Sequence, residues 1–179
     1  MRARIEIAIV SSALVVIGFG GCSTASPSSD ATGATTRYSA SVSLGQQVVS
    51  RDQLRKESNA VIVGEASGAS VEYVQGVPFT VTAVTVARGT LPVGSVVRVR
   101  QTGSTDYRVE GVSDLLESGS TYLLYLSKFE LVQGKWTGEY TVTAEQGAWK
   151  KSAGGFERSF ASDTLSRNLS EATVLEELG

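Results

Sequence analysis

The 179-residue sequence has no histidine and one cysteine, Cys22. The missing histidine excludes Ser-His-Asp and Cys-His nucleophile arrangements. Together the two scarcities exclude zinc sites built on His or Cys ligands, and no metal or other cofactor is expected. A lone cysteine also leaves no disulfide within the chain, so a folded domain must hold by burying apolar surface. Basic residues are outnumbered, 16 against 18 acidic, for a net charge of −2. That is not the basic footprint that phosphate backbones require, and nucleic acid is not an expected partner. No apolar run is long enough to span a bilayer; the longest, Ile7–Phe19, has the length of a signal-peptide core.

What is present is a foldable, strand-leaning composition. Hydrophobic residues make up 41% of the chain against 19% charged, enough apolar content to offset chain entropy. Val, Thr, Ser and Gly are abundant after the first two dozen residues, and the one Met is the first residue.

Arg2 and Arg4 form a positive start, Ile7–Phe19 an apolar core, and Gly20-Gly21-Cys22 a small-small-Cys ending. This pattern resembles the lipobox of bacterial lipoproteins, with Phe19 where that family prefers Leu. The resemblance implies a leader over residues 1–21, cleavage by signal peptidase II between Gly21 and Cys22, and a diacylglyceryl thioether on Cys22. The implied location is the cell membrane, lipid-anchored on its extracytoplasmic face. Residues 22–37 are rich in Ser, Thr, Ala and Gly and read as a flexible tether. Such a coil reaches on the order of 20 Å.

Residues 38–179 read as one mainly β domain. Tyr38–Val49 alternates weakly, as an edge strand would. Ser50–Ser58 reads as a short helix, with Ser50 as its cap, Gln53 three residues on, and Leu54 as its buried anchor. Asn59–Gly68 begins the first clear strand, and Gly64 within it implies a tight bend. Pro78–Val86 forms a second strand. There Phe79, Val81 and Ala83 share one face and Val84 and Val86 the other, which implies a mid-strand bulge or a strand passing between sheets. Val96–Arg100 places Val97 and Val99 inward and Arg98 and Arg100 outward, as an edge-protecting device. Gln101–Ser113 reads as a polar loop. Ser120–Leu126 is the most hydrophobic strand and the expected centre of the core. Trp136–Thr143 and a short segment from Gln146 supply the last strands. Leu165, Leu169, Ala172 and Leu175 then recur at helical spacing, and a C-terminal helix is expected from Ser166 or Ser170 to Leu178.

The succession Asn59-Ala60-Val61-Ile62-Val63-Gly64, Arg88-Gly89, Val96–Val99 and Gly119–Leu126 resembles the OB-fold domains of the netrin and metalloproteinase-inhibitor (TIMP-like) modules. The resemblance covers about residues 50–160. It implies a small closed OB-like β-barrel with a short helix before it and a C-terminal helix. It implies no inhibitory residue, because the lipobox resemblance implies that Cys22 is acylated and separated from the barrel by the tether. The expected function is non-enzymatic binding of an extracytoplasmic protein, peptide or glycan, through loops around Tyr73 and Asp106-Tyr107-Arg108. One alternative is a glycan hydrolase drawing two carboxylates from Asp106, Glu110, Asp114 and Glu117. The other is a passive assembly factor in a larger envelope complex.

Overall fold

The computed structural model describes residues 38–41, 50–110, 112–158 and 165–179. The leader, Cys22, the tether, residues 42–49 of the expected edge strand and residues 159–164 lie outside the described residues.

Helix α1, Arg51–Glu57, starts where local chemistry places it. Ser50 is extended, and its hydroxyl accepts from the Gln53 N–H at 3.2 Å. Asp52 in the first turn and Arg55 and Lys56 in the last oppose the helix dipole. Leu54 is fully buried, as its spacing predicts.

The described residues form ten strands, in chain order β1 (Tyr38–Ser41), which precedes α1, then β2 (Ala60–Val74), β3 (Val77–Gly89), β4 (Val96–Thr102), β5 (Tyr107–Glu110), β6 (Thr121–Val132), β7 (Lys135–Val142), β8 (Ala148–Ser152), β9 (Gly155–Glu157) and β10 (Asn168–Leu169). Helix α2, Glu171–Leu178, closes the chain, with Ser170 accepting from the Thr173 N–H at 3.1 Å. The fold is therefore mainly β with two short helices.

Eight strands form one sheet in the order β10-β9-β8-β6-β2-β3-β4-β7. β4 and β7 are parallel, Val99 opposite Tyr140, and the other neighbours are antiparallel. β6 pairs with β7 as well, Leu126 opposite Val142, so pairing leads from β2 through β3, β4, β7 and β6 back to β2. β1 pairs in parallel with β5 as a separate two-stranded sheet.

Two apolar clusters explain the continuous hydrophobic run in β6. Tyr122, Leu124 and Leu126 join Ile62, Val84, Val99 and Val142 in one cluster. Leu123 and Tyr125 face the other way, with Leu54, Val61, Trp149, Phe156 and Val174. A strand covered on both faces has no place for polar alternation.

Several expectations are corrected. β3 does not change face in mid-strand: Thr80 and Thr82 are buried on the side of Val84 and Val86. Two threonines at core positions produced the false parity break, and Thr80 is satisfied there by donating to the Gly103 carbonyl at 2.9 Å. A bulge does lie at this level, but on β2. Ser67 faces Ala83 and Ala69 faces Thr82, leaving Gly68, at φ 48°, as the extra residue. Gly64 is needed for close approach: a Cβ there would lie 2.6 Å from Val84 Cγ1 and 2.8 Å from the Thr85 carbonyl oxygen.

The Gln101–Ser113 loop is shorter than expected, since β4 runs to Thr102 and β5 occupies Tyr107–Glu110. Gln101 is buried because its amide is matched on both sides, accepting from the Leu116 N–H at 2.8 Å and donating to the Asp114 carbonyl at 3.0 Å. At the C-terminus, Leu165 and Leu169 are buried but precede α2. The helix buries Val174, while Ala172 and Leu175 are exposed.

Candidate binding surface

Tyr73 lies near the end of β2, just before the Gln75-Gly76 turn, and is 71% exposed. Asp106 is exposed in the turn before β5, Tyr107 is half-buried and Arg108 is exposed on β5. Their common ground is β3. Tyr73 is opposite Pro78, and the Pro78 carbonyl accepts from the Gly103 N–H at 2.9 Å. Gly103 leads into the Ser104 turn, where the Tyr107 N–H bonds the Ser104 hydroxyl at 3.1 Å. The predicted residues thus stand at one end of the sheet, on either side of the start of β3. Among the described residues no hydrogen bond or ion pair joins Tyr73 to Asp106, Tyr107 or Arg108.

A neighbouring constellation was not anticipated. β4 lies between β3 and β7, so Arg98 and Arg100 do not guard an edge. They face outward and meet two acids. Arg98 donates to Glu139 at 2.9 Å and Glu72 at 2.8 Å; Arg100 donates to Glu139 at 2.6 Å and also to Glu72. Arg100 is only 6% exposed, because Phe79 and Phe129 cover its guanidinium at 5.5 and 5.0 Å. Burial alone pushes the Glu139 carboxyl up, but the hydrogen bonds and charges of Arg100 and Arg98 outweigh it and hold the group below the ordinary glutamate range.

The β6–β7 hairpin carries a second apolar group. Leu131, Val132 and Trp136 are exposed near the Gln133-Gly134 turn. The Trp136 indole N–H donates to the Glu139 carbonyl at 2.7 Å, the ring meets Tyr140 edge-on at 5.5 Å, and Lys128 Nζ lies 5.1 Å from its centre.

Of the four acids weighed for hydrolysis, Asp106, Asp114 and Glu117 are exposed, and Glu117 is paired with Lys150 at 2.6 Å. The Glu110 side chain lies outside the described residues. The carboxyl with the most altered environment is Glu145, which composition and spacing did not single out. Burial pushes it up to about 7 against one weak hydrogen bond from Thr102 at 3.4 Å. Ala144 and Glu145 have φ of 52° and 55°, and the Glu145 carbonyl is held by the Ser113 N–H at 2.8 Å and hydroxyl at 2.6 Å.

Concavities among the described residues include two that differ in size. One, of about 40 Å³, lies by Asp114, Tyr122 and Lys150. The other is a shallow groove of about 370 Å³ between Val63, Arg88, Phe156, Val174, Leu175 and Leu178.

No protein-family model, curated protein or solved structure matches the chain.

Proposed function

We propose that the protein is a lipoprotein anchored through Cys22 to the extracytoplasmic face of the cell membrane. Its β domain is a non-enzymatic binding module for an envelope protein, peptide or glycan. The anchor is supported by the lipobox, a signal carried by residue order alone. An OB-like barrel is supported by the circuit of pairings from β2 through β3, β4, β7 and β6, and by the parallel β4–β7 contact within it.

One observation carries the binding reading: large apolar side chains stand exposed on the distal parts of two β-hairpins. Val71 and Tyr73 are on the first; Leu131, Val132 and Trp136 are on the second. Clustered exposed apolar residues of this kind mark interaction sites. The hydrolase reading loses support from the exposure of Asp106, Asp114 and Glu117 and from the Glu117–Lys150 pair, since retaining and inverting chemistry both need two facing carboxyls.

Intact mass of the protein extracted from membranes tests the anchor. The expected species begins at Cys22 and carries a diacylglyceryl group, and Cys22→Ser moves the protein out of the membrane fraction. An unmodified first residue, or unchanged partition of the variant, overturns it. Affinity capture from detergent-solubilised membranes tests the module. A defined partner lost on Tyr73→Ser or Trp136→Ser is expected, and stoichiometric recovery in a large complex that is indifferent to both changes favours the assembly-factor alternative.

A further inference from the structure

Strand β2 is 15 residues long, but β6 covers only its first part. β6 pairs with Ala60–Glu65, and the cover is extended by Ala66, bonded to Ser120 and Gly119, and by the Gly68 N–H on the Ser118 hydroxyl. From Ala69 to Val74 the strand pairs, among the described residues, with β3 alone.

The hairpin geometry fixes which backbone groups that leaves open. Gln75 and Gly76, at φ 51° and 82°, form a two-residue turn with both central residues left-handed, so Val74 and Val77 exchange their N–H and C=O groups across it. Alternation then directs Ser70 and Glu72 to β3, and turns the N–H and C=O of Ala69, Val71 and Tyr73 away from it. Pro78 agrees with this assignment. It sits opposite Tyr73, where β3 needs no N–H toward β2, and its carbonyl faces Gly103.

The resulting edge is exposed and carries no Lys or Pro between Ala69 and Tyr73, and the bulge at Gly68 lies before it. Its one charge, Glu72, is held on the opposite face by Arg98 and Arg100. Val71, 46% exposed, and Tyr73 share the remaining face. The strand is thus fixed by β3 and by the ion group, while among the described residues no backbone group pairs with its other side from Ala69 to Tyr73.

We infer that the distal edge of β2 is a strand-addition site for an extended peptide segment. The peptide main chain completes the ladder along Ala69, Val71 and Tyr73, and its alternate apolar side chains lie over Val71 and Tyr73. The inference rests on the binding-module reading and narrows it to a polypeptide ligand, because a glycan offers no row of alternating N–H and C=O groups at the two-residue repeat of a strand. A second copy of this chain is the weaker occupant. Edge-to-edge pairing over so short a segment falls far below the ~800 Å² per partner of a stable dimer.

The test uses the full-length chain in detergent micelles with a synthetic peptide of alternating Thr and Val, lysine-capped at both ends. Without peptide, the Val71 and Tyr73 amides exchange rapidly with solvent while Glu72 and Val74 are protected. Peptide slows Val71 and Tyr73 selectively. Val71→Pro removes an N–H that β3 does not use, so thermal unfolding is unchanged while peptide affinity falls about tenfold or more. Tyr73→Lys, which leaves the backbone intact, gives a second loss. Absence of protection, or protection elsewhere on the chain, overturns the inference. So does a concentration-dependent dimer abolished by Val71→Pro, which assigns the edge to a second copy. A membrane partner held equally well by wild type and Val71→Pro overturns the edge alone and leaves the binding module standing. Failure to hold any partner or peptide overturns both.

Discussion

Arg100 Nε donates to Glu139 Oε2 at 2.6 Å, joining two residues 39 positions apart in the chain. Both side chains are almost fully covered, and the guanidinium lies against Phe79 and Phe129, whose rings pack on each other at 6.2 Å. The outward face of β4 is thereby sealed by a charged pair under aromatic rings.

Removing one member of a buried pair leaves the other charged and desolvated, which is worse than never having had the pair. Glu139→Gln is expected to destabilise the fold by about 3 kcal/mol, read as a lower urea midpoint at unchanged slope. Arg98→Met, at the exposed corner of the same group, costs less than about 1 kcal/mol. The ordering is the test. Equal effects would mean that the pair is solvated and that burial under the two rings has no energetic consequence.

Acid sensitivity follows from the same residue. Glu139 titrates below its ordinary value in the folded chain, so the unfolded chain binds the proton more readily. The stability from this pair is fully present above the ordinary glutamate value of 4.5 and is lost as pH falls through the lower folded value. Thermal unfolding recorded downward from pH 6 shows that loss in wild type and a flatter dependence in Glu139→Gln.

Glu145 acts with the opposite sign. Burial raises it to about 7, so the folded chain holds the proton better than the unfolded chain. Its contribution is fully present below the ordinary value of 4.5 and is lost as pH rises through 7, a change on the order of 3 kcal/mol across the window. Glu145→Gln keeps a neutral amide there at every pH. The variant is expected to match wild type near pH 5, exceed its melting temperature at pH 8, and lack the slope between. A parallel pH dependence in the two proteins would place the carboxyl in water.

What the sequence disclosed and what it concealed divides along chain separation. The cap of α1 was legible because Ser50, Gln53 and Leu54 act within one turn. The β6 run was legible because a strand covered on both faces must be apolar throughout. Tyr73 was found as an exposed aromatic in a polar context, but its place on an open strand edge depends on where β6 stops. Arg98 and Arg100 were read correctly as outward and wrongly as guarding an edge, because β7 closes that side of β4 and Glu72 and Glu139 reach the two arginines across 26 to 41 positions. Thr80 and Thr82 look like solvent-facing alternation. Only the Gly103 carbonyl, brought by β4, makes a buried hydroxyl acceptable at Thr80.

Two glycines in the same hairpin are required for different physical reasons, and substitution separates them. Gly76 has a φ of 82° with open space around it, so Gly76→Ala suffers only the left-handed penalty of about 1 kcal/mol. Asn tolerates that backbone region, and Gly76→Asn recovers part of the loss. Gly64 is extended, but any Cβ meets Val84 and the Thr85 backbone. The cost of Gly64→Ala is overpacking, about 1–3 kcal/mol, and Gly64→Asn is worse because it adds atoms to the same collision. Denaturant midpoints for the four variants decide between the mechanisms: rescue by Asn at residue 64 would mean that conformation rather than contact demands glycine where β2 crosses β3.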